Sequence, residues 1–164
     1  KEEYSVDPAR IYVSGHSNGS EMTQSLMRYM PRELAAFAPV GAMGARIGRD
    51  VVPMPEDGVI RPVWYIMGEY DLQDAWDLTP GGGNAQTLES MCACNRADYE
   101  GASRYINGIY HHVVAYNEER IPLVRFTGIE KWPHTVTPET SLMIWDDFFC
   151  KFRRKEDGTI VYVG

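Results

Sequence analysis

Residues 15–19 read G-H-S-N-G, between a short apolar run at 11–13 and a helical pattern over 20–30. Where a strand runs through a glycine-serine turn directly into a helix, little room remains between the strand and the helix. The serine at position 17 is therefore expected in a strained backbone conformation, with its hydroxyl held clear of the sheet. Glycine is expected at both flanks of the turn, because a side chain there would collide with the neighbouring strand or helix.

The same five residues fit the pattern G-x-S-x-G of a nucleophile elbow. A helix that opens at Asn18 brings the positive end of its dipole, with unpaired N–H groups, beside the Ser17 hydroxyl. An oxyanion formed by attack of that hydroxyl would lie close to the backbone N–H of Asn18. Ser17 is the predicted nucleophile, and the N–H of Asn18 is a predicted oxyanion donor.

Strand and helix patterns alternate along the rest of the chain, which predicts an α/β fold with a mainly parallel sheet flanked by helices. We expect one domain spanning residues 1–164. Further strands are predicted at 35–40 and 62–67, a loop at 42–61, helices at 85–97 and 138–152, a hairpin formed by 109–116 and 122–127, and a last strand at 159–163.

Two of the predicted helices, over 20–30 and over 138–152, carry apolar residues at helical spacing, which predicts a stripe facing the core. In the helix over 20–30 the stripe consists of Met22, Leu26, Met27 and Met30. In the helix over 138–152 it consists of Leu142, Trp145, Phe148 and Phe149.

Composition excludes several classes of function. The 164 residues carry a net charge of −7, and the one basic run, 153–155, lies at a predicted helix end, which argues against nucleic acid or an anionic membrane as partner. No apolar run approaches the roughly 20 residues that a membrane span needs. The cysteines Cys92, Cys94 and Cys150 leave two alternatives open: one disulfide to Cys150 in a secreted protein, or three free thiols.

An activated serine needs a base and an acid that orients the base, in the chain order Ser, Asp, His for this kind of fold. Asp71 directly follows the predicted strand 62–67, where the sites of parallel sheets collect, and it is the preferred acid. Asp74 and Asp77 lie in the same loop and are its alternatives.

Four histidines compete for the role of base. His134 is preferred because it lies in a late loop just before the last predicted helix. His16 is too close to Ser17 along the chain to serve it, and is assigned to the acyl pocket instead. His111 and His112 are adjacent in a predicted strand and point to opposite faces, one exposed and the other packed. Trp132 and Tyr70 are candidate substrate-binding residues, with simple packing as the alternative.

Four stretches of the sequence resemble the polyhydroxybutyrate-depolymerase and feruloyl-esterase branch of the α/β-hydrolases. They are R-I-Y-V-S-G-H-S-N-G-S-E-M, A-A-F-A-P-V-G-A, R-P-V-W-Y-I-M-G-E-Y-D, and W-P-H-T ahead of I-W-D-D-F-F. The resemblance implies a serine esterase that needs no cofactor or metal and acts on a small-molecule or polymer ester. It also implies Ser17 as nucleophile, Asp71 as acid and His134 as base, and favours an extracellular or periplasmic location.

The chain departs from that family in having only ten residues before the elbow strand, where several more strands are usual. One oxyanion donor normally comes from that part of the fold, and the loss of one donor costs about 10²–10³ in rate. The outer edge of the strand at 11–14 would also lack its neighbour. We therefore expect the chain to be the C-terminal part of a larger hydrolase, or to form a homodimer through this edge.

Three functions follow, in order of preference. The first is a carboxylic ester hydrolase that uses an acyl-enzyme intermediate. The second is a non-catalytic, hydrolase-like binding module or an inactive fragment, which the short N-terminal part favours and the retained Ser17, Asp71 and His134 oppose. The third is a serine peptidase of the same fold, because the triad chemistry is shared and only the pocket decides.

Overall fold

The computed structural model describes residues 4–44, 46–47, 50–71 and 76–164. In chain order its elements are β1 Tyr12–His16, α1 Asn18–Tyr29, β2 Ala36–Val40, β3 Arg46–Ile47, β4 Asp50–Val51, β5 Val63–Tyr70, α2 Gly83–Asn95, β6 Ser103–Asn107, β7 Tyr110–Tyr116, β8 Pro122–Pro133, α3 Pro138–Asp147, β9 Phe152–Arg154 and β10 Ile160–Tyr162. Short 3₁₀ turns, Pro8–Arg10 and Phe149–Lys151, precede β1 and follow α3.

A six-stranded sheet in the order β1-β2-β5-β8-β7-β6 forms the centre of the fold. The pairs β1–β2, β2–β5 and β5–β8 are parallel, whereas β8–β7 and β7–β6 are antiparallel. The parallel strands β2 and β5 are almost continuously buried, as expected for strands with both faces covered. The mainly parallel sheet predicted from the sequence is confirmed.

Helices cover both faces of this sheet. Trp64 and Tyr65 are neighbours on β5 and point to opposite faces. The ring of Trp64 meets the ring of Phe148, just beyond α3, at 5.7 Å between centroids. Tyr65 lines a small cleft with Gln24 of α1 and Met91 of α2. The result is a three-layer arrangement in which the parallel strands all end at the same edge.

The apolar stripes predicted for α1 and α3 are wrong in part. Met27 is fully buried, but Met22 and Met30 are 60% and 45% exposed, and the buried face of α1 includes the polar side chains of Thr23 and Gln24. Gln24 is accommodated there because its amide accepts from Gly44 N–H and donates to the carbonyls of Ser20 and Ala42. In α3, Leu142 and Trp145 are exposed, whereas Phe148 and Phe149, which follow the end of the helix, are buried.

Three other parts of the secondary structure differ from the predictions. The predicted loop at 42–61 contains the short antiparallel pair of β3 and β4. The helix predicted over 138–152 ends at Asp147, because the chain turns there into the strand β9 that pairs with β10. The strand β6 was not predicted, because all five of its residues are exposed and show no apolar alternation.

Strand β1 lies at the outer edge of the sheet, with β2 as its neighbour on the inner side. A strand in this position presents a row of unpaired backbone groups. The edge position was predicted from the sequence and is confirmed. The cover expected for it, a preceding segment or a second copy of the chain, stays a prediction.

A buried arginine fastens the long loop before β5 to the helices. The Arg61 side chain is fully buried, and its guanidinium forms a bidentate pair with Asp57, with both N···O distances 2.8 Å. Its Nε donates to the carbonyl of Met27 on α1, and its backbone N–H donates to Asn95 on α2. This pair lowers the pKa of Asp57 to about 2.

The variant Asp57→Asn is expected to lower the free energy of unfolding by about 1–3 kcal/mol, because it leaves a buried guanidinium short of acceptors. Since the pKa of Asp57 is depressed in the folded state, the stability from this pair is present above about pH 4 and is lost as the pH falls towards about 2. Urea unfolding at pH 7 and pH 3 measures both effects.

The matched control is Glu56→Gln, which removes the same charge from the exposed neighbouring residue. It should unfold as the wild type does at both pH values. Equal stability of Asp57→Asn and Glu56→Gln at pH 7 would contradict the role assigned to the pair.

Candidate active site

Ser17 lies in the sharp turn between β1 and α1. Its backbone dihedrals, φ 59° and ψ −117°, fall in a sparsely populated region, which confirms the strained conformation predicted from the sequence. The Ser17 N–H donates to the Val40 carbonyl at 2.9 Å, which fixes the turn against β2. Ser17 is also the N-cap of α1, yet its hydroxyl makes no capping hydrogen bond.

The helix α1 opens at Asn18, as predicted. The first N–H groups of a helix have no partner within the helix, and here they lie beside the Ser17 side chain. Together with the helix dipole they favour negative charge at this point. The local backbone is thus suited to hold an anion next to the serine hydroxyl.

The two glycines of the turn differ in what they do. A Cβ on Gly15 would lie 2.3 Å from the Gly19 carbonyl oxygen, which is a backbone atom and can be displaced only if the helix backbone shifts. A Cβ on Gly19 would meet nothing within 4 Å. The expectation that both glycines are required by close approach is therefore wrong for Gly19 and holds for Gly15.

Asp71 directly follows β5, and its side chain is only 2% exposed. One carboxylate oxygen, Oδ2, accepts from the Gly68 N–H at 2.9 Å, and the other, Oδ1, contacts Nδ1 of His134. Of the two alternative acids, Asp77 is exposed, and its carboxylate accepts hydrogen bonds from the backbone N–H and the hydroxyl of Thr79. Asp74 lies outside the described residues.

His134 directly follows β8, the strand next to β5 in the sheet. Tyr70 and Pro133 are paired in register, so the ends of the two strands bring Asp71 and His134 together. Because a carboxylate only accepts, Nδ1 of His134 carries the proton in this contact, and in this tautomer of the imidazole Nε2 is the atom that can accept a proton. The ring is 29% exposed, so its free side is open to a ligand.

Two further contacts hold these strand ends in position. The Glu69 carboxylate accepts from the Lys131 backbone N–H at 2.6 Å, which joins β5 to the end of β8. A Cβ on Gly68 would lie 2.5 Å from the Trp132 carbonyl oxygen, so glycine is needed where the strands approach.

The ring of His16, inside the elbow, lies against the ring of His134 with centroids 4.4 Å apart. Its Nε2 atom is buried and has no hydrogen-bond partner among the described residues. Burial lowers the pKa of His16, and the neighbouring His134 lowers it further. A neutral His16 beside His134 is therefore favoured.

Gly41, which sequence reasoning missed, makes room for both rings. Its φ is +73°, and a Cβ there would lie 2.9 Å from the His16 ring and 3.1 Å from that of His134. Its position in the sequence could have indicated a role in the site, because Gly41 directly follows a buried parallel strand, at the edge of the sheet where ligand sites collect.

Four other side chains that the sequence offered for the site lie outside the contact between Asp71 and His134. Tyr70 is 63% exposed beside Asp71, and Trp132 is half-buried against the core. His111 and His112, on β7, are both half-buried, not one exposed and one packed as expected. His111 pairs with Glu130 at 2.7 Å and His112 with Thr127 at 2.9 Å.

The site therefore gathers Ser17, Asn18, His16, Asp71 and His134 at the carboxyl edge of the parallel strands. Among the described residues, the Ser17 hydroxyl makes no hydrogen bond; the serine–base contact is often loose in ligand-free enzymes. This arrangement offers a strained hydroxyl, a histidine oriented by a carboxylate, and helix N–H groups. These are the parts that nucleophilic acyl transfer requires.

Within the described ranges, no group of three or more His, Cys, Asp or Glu side chains is arranged to hold a metal ion. All three cysteines are free thiols, and Cys92 and Cys94 are buried. None of the helices described is long and apolar enough to cross a membrane.

Comparison with known proteins shows the fold. No protein-family model and no curated protein matches the sequence. Among solved structures, the chain is similar to an acetyl xylan esterase from Aspergillus awamori, with a TM-score of 0.59 and 16% identity over 88% of this chain and 61% of the esterase. It is also similar to a thermostable esterase, with a TM-score of 0.54 and 20% identity over 93% of this chain and 34% of that one.

The chain thus has an α/β-hydrolase-like fold and spans about 61% and 34% of the lengths of these two esterases.

Proposed function

We propose that this chain is a carboxylic ester hydrolase that works through an acyl-enzyme intermediate on Ser17. The observation that carries the proposal is the contact between Asp71 and His134 at the sheet edge, with the His134 ring against the elbow that holds Ser17. The similarity to two esterases in fold supports the same reaction class.

In the proposed mechanism His134 accepts the proton of Ser17 as the hydroxyl oxygen attacks the ester carbonyl. Asp71 holds the imidazole in the tautomer with its proton on Nδ1 and stabilises the imidazolium that forms. The tetrahedral oxyanion is stabilised by the N–H of Asn18 and the positive end of α1. His134 then protonates the leaving alcohol, and a water molecule, activated by the same histidine, releases the acid.

Within this class we propose the polyhydroxybutyrate-depolymerase and feruloyl-esterase branch, on the strength of the four motifs quoted above. Its substrates are polyesters, plant-polymer esters and acetyl esters, and the last class agrees with the name of the acetyl xylan esterase. His16 contacts the His134 ring, Tyr70 is exposed beside Asp71, and Trp132 lies two residues before His134; all three are proposed to contact the ester.

The proposal is tested by intact-mass labelling with a fluorophosphonate, a reagent that reports an activated serine without requiring the right substrate. We expect one adduct on the wild type and none on Ser17→Ala. A matched control is Ser14→Ala, which removes a β1 hydroxyl that donates to the Ala38 carbonyl and should leave labelling unchanged.

Folded wild-type protein that forms no adduct would contradict the proposal. The non-catalytic binding module or inactive fragment would then become the preferred function. A labelled Ser17 that cleaves peptides but not esters would instead favour the peptidase alternative.

A further inference from the structure

A cavity of about 500 Å³ lies on the sheet face that α3 covers. Strands β5 to β8, the helix α3 and the segment after it contribute its walls, and none of the proposed catalytic residues lines it. Its volume falls within the roughly 300–1,000 Å³ of typical small-molecule sites. The cavity is therefore large enough for a ligand of its own.

Arg125, on β8, provides the strongest polar feature of this cavity. Its guanidinium lies over the rings of Trp64 and Phe148, at 5.2 and 5.4 Å from their centroids. Nη1 donates to the Asp147 carbonyl at 3.0 Å, whereas Nε is buried and makes no hydrogen bond to any described residue. Burial also lowers the pKa of Arg125.

The ionisable side chains that face Arg125 leave this cavity positive. Arg125 and Lys151 contribute positive charge, and Asp147 contributes the one carboxylate among the described residues that line the cavity. Burial lowers the pKa of His112, which favours its neutral form near pH 7. The chain as a whole has a net charge of −7, so a positive cavity is unusual in it. The positive charge of the cavity favours an anionic ligand.

The walls around Arg125 are aromatic. The Tyr105 ring lies 4.8 Å from the His112 ring between centroids, and the Tyr110 ring lies 6.2 Å from it. Trp64 and Tyr162 add two further rings to the lining. Flat apolar surfaces of this kind pack well against a planar ligand.

We propose that this cavity binds a small organic carboxylate with a flat apolar body, its carboxylate on Arg125 and its body between the aromatic walls. Guanidinium groups recognise carboxylates by paired, charge-assisted hydrogen bonds. This site is separate from the catalytic group, and the inference does not depend on the proposed function.

The test uses benzoate as the probe, with the four tryptophan indole N–H signals of ¹⁵N-labelled protein as the readout. The Trp64 indole donates to Thr127 inside the cavity at 2.8 Å, whereas the other three tryptophans lie outside its lining. We expect a saturable shift of the Trp64 signal alone. Benzamide, which has the ring but no charge, should bind about tenfold more weakly or worse, and acetate should not bind.

The variant Arg125→Met should lose benzoate binding by about tenfold or more. Arg153→Met removes the same charge from an exposed position outside the cavity and should bind as the wild type does. Equal affinity for benzoate and benzamide, a shift that spares Trp64, or no saturation would each overturn the proposal. The comparison of benzoate, benzamide and acetate on wild-type protein decides it even if Arg125→Met fails to fold.

Discussion

Asp71→Asn is expected to slow ester hydrolysis by about 10⁴-fold while leaving the protein folded. The asparagine amide cannot hold the His134 imidazole with its proton on Nδ1, so Nε2 would no longer be the free base. The side chain is nearly isosteric and its remaining oxygen can still accept from the Gly68 N–H, which keeps the loop in place. The measurement is kcat/KM for p-nitrophenyl acetate, with thermal unfolding to verify the fold.

The matched control is Asp77→Asn, in the same loop. Asp77 is exposed and bonds only to Thr79 among the described residues, so its variant should hydrolyse the ester at the wild-type rate. Asp71→Asn with more than about a tenth of the wild-type rate would remove Asp71 from the mechanism, because the loss expected from a wrong tautomer is far larger. An equal loss in both variants would point to the loop and not to the carboxylate.

The elements around the site could be predicted because local patterns determine them. The change from an apolar run to a helical pattern at residues 15–19 fixes the end of β1 and the start of α1. Asp71 and His134 could be chosen because acids and bases of parallel sheets follow the strand ends. Their contact depends on β5 and β8 being neighbours, which no local pattern encodes.

Other features could not be read from the sequence because they depend on tertiary partners. Gln24 is buried because the Gly44 N–H and the Ala42 carbonyl satisfy its amide, and those partners are 18–20 residues away. The strand β6 exists only through its pairing with β7. Gly41 matters because two histidine rings from different elements meet beside it.

Gly15→Ala is expected to lower both stability and activity strongly, whereas Gly19→Ala should be tolerated. A Cβ at 15 would lie 2.3 Å from the Gly19 oxygen and 2.5 Å from its carbonyl carbon, so the start of α1 must move away from β1. Overpacking of this kind costs about 1–3 kcal/mol or more. The same displacement moves Ser17 and the Asn18 N–H together, and an error of about 1 Å in such a site can cost about 10²-fold in rate.

Gly19→Ala provides the contrast within the same motif, because its Cβ meets nothing within 4 Å. Alanine is also the better helix former, by up to about 1 kcal/mol, so this variant should be at least as stable as the wild type. Urea unfolding and the rate of fluorophosphonate labelling measure the two variants side by side. If Gly15→Ala labels at the wild-type rate, the close approach of β1 and α1 is not what positions the serine. If Gly19→Ala is the more damaging of the two, the geometry assigned to this turn is wrong.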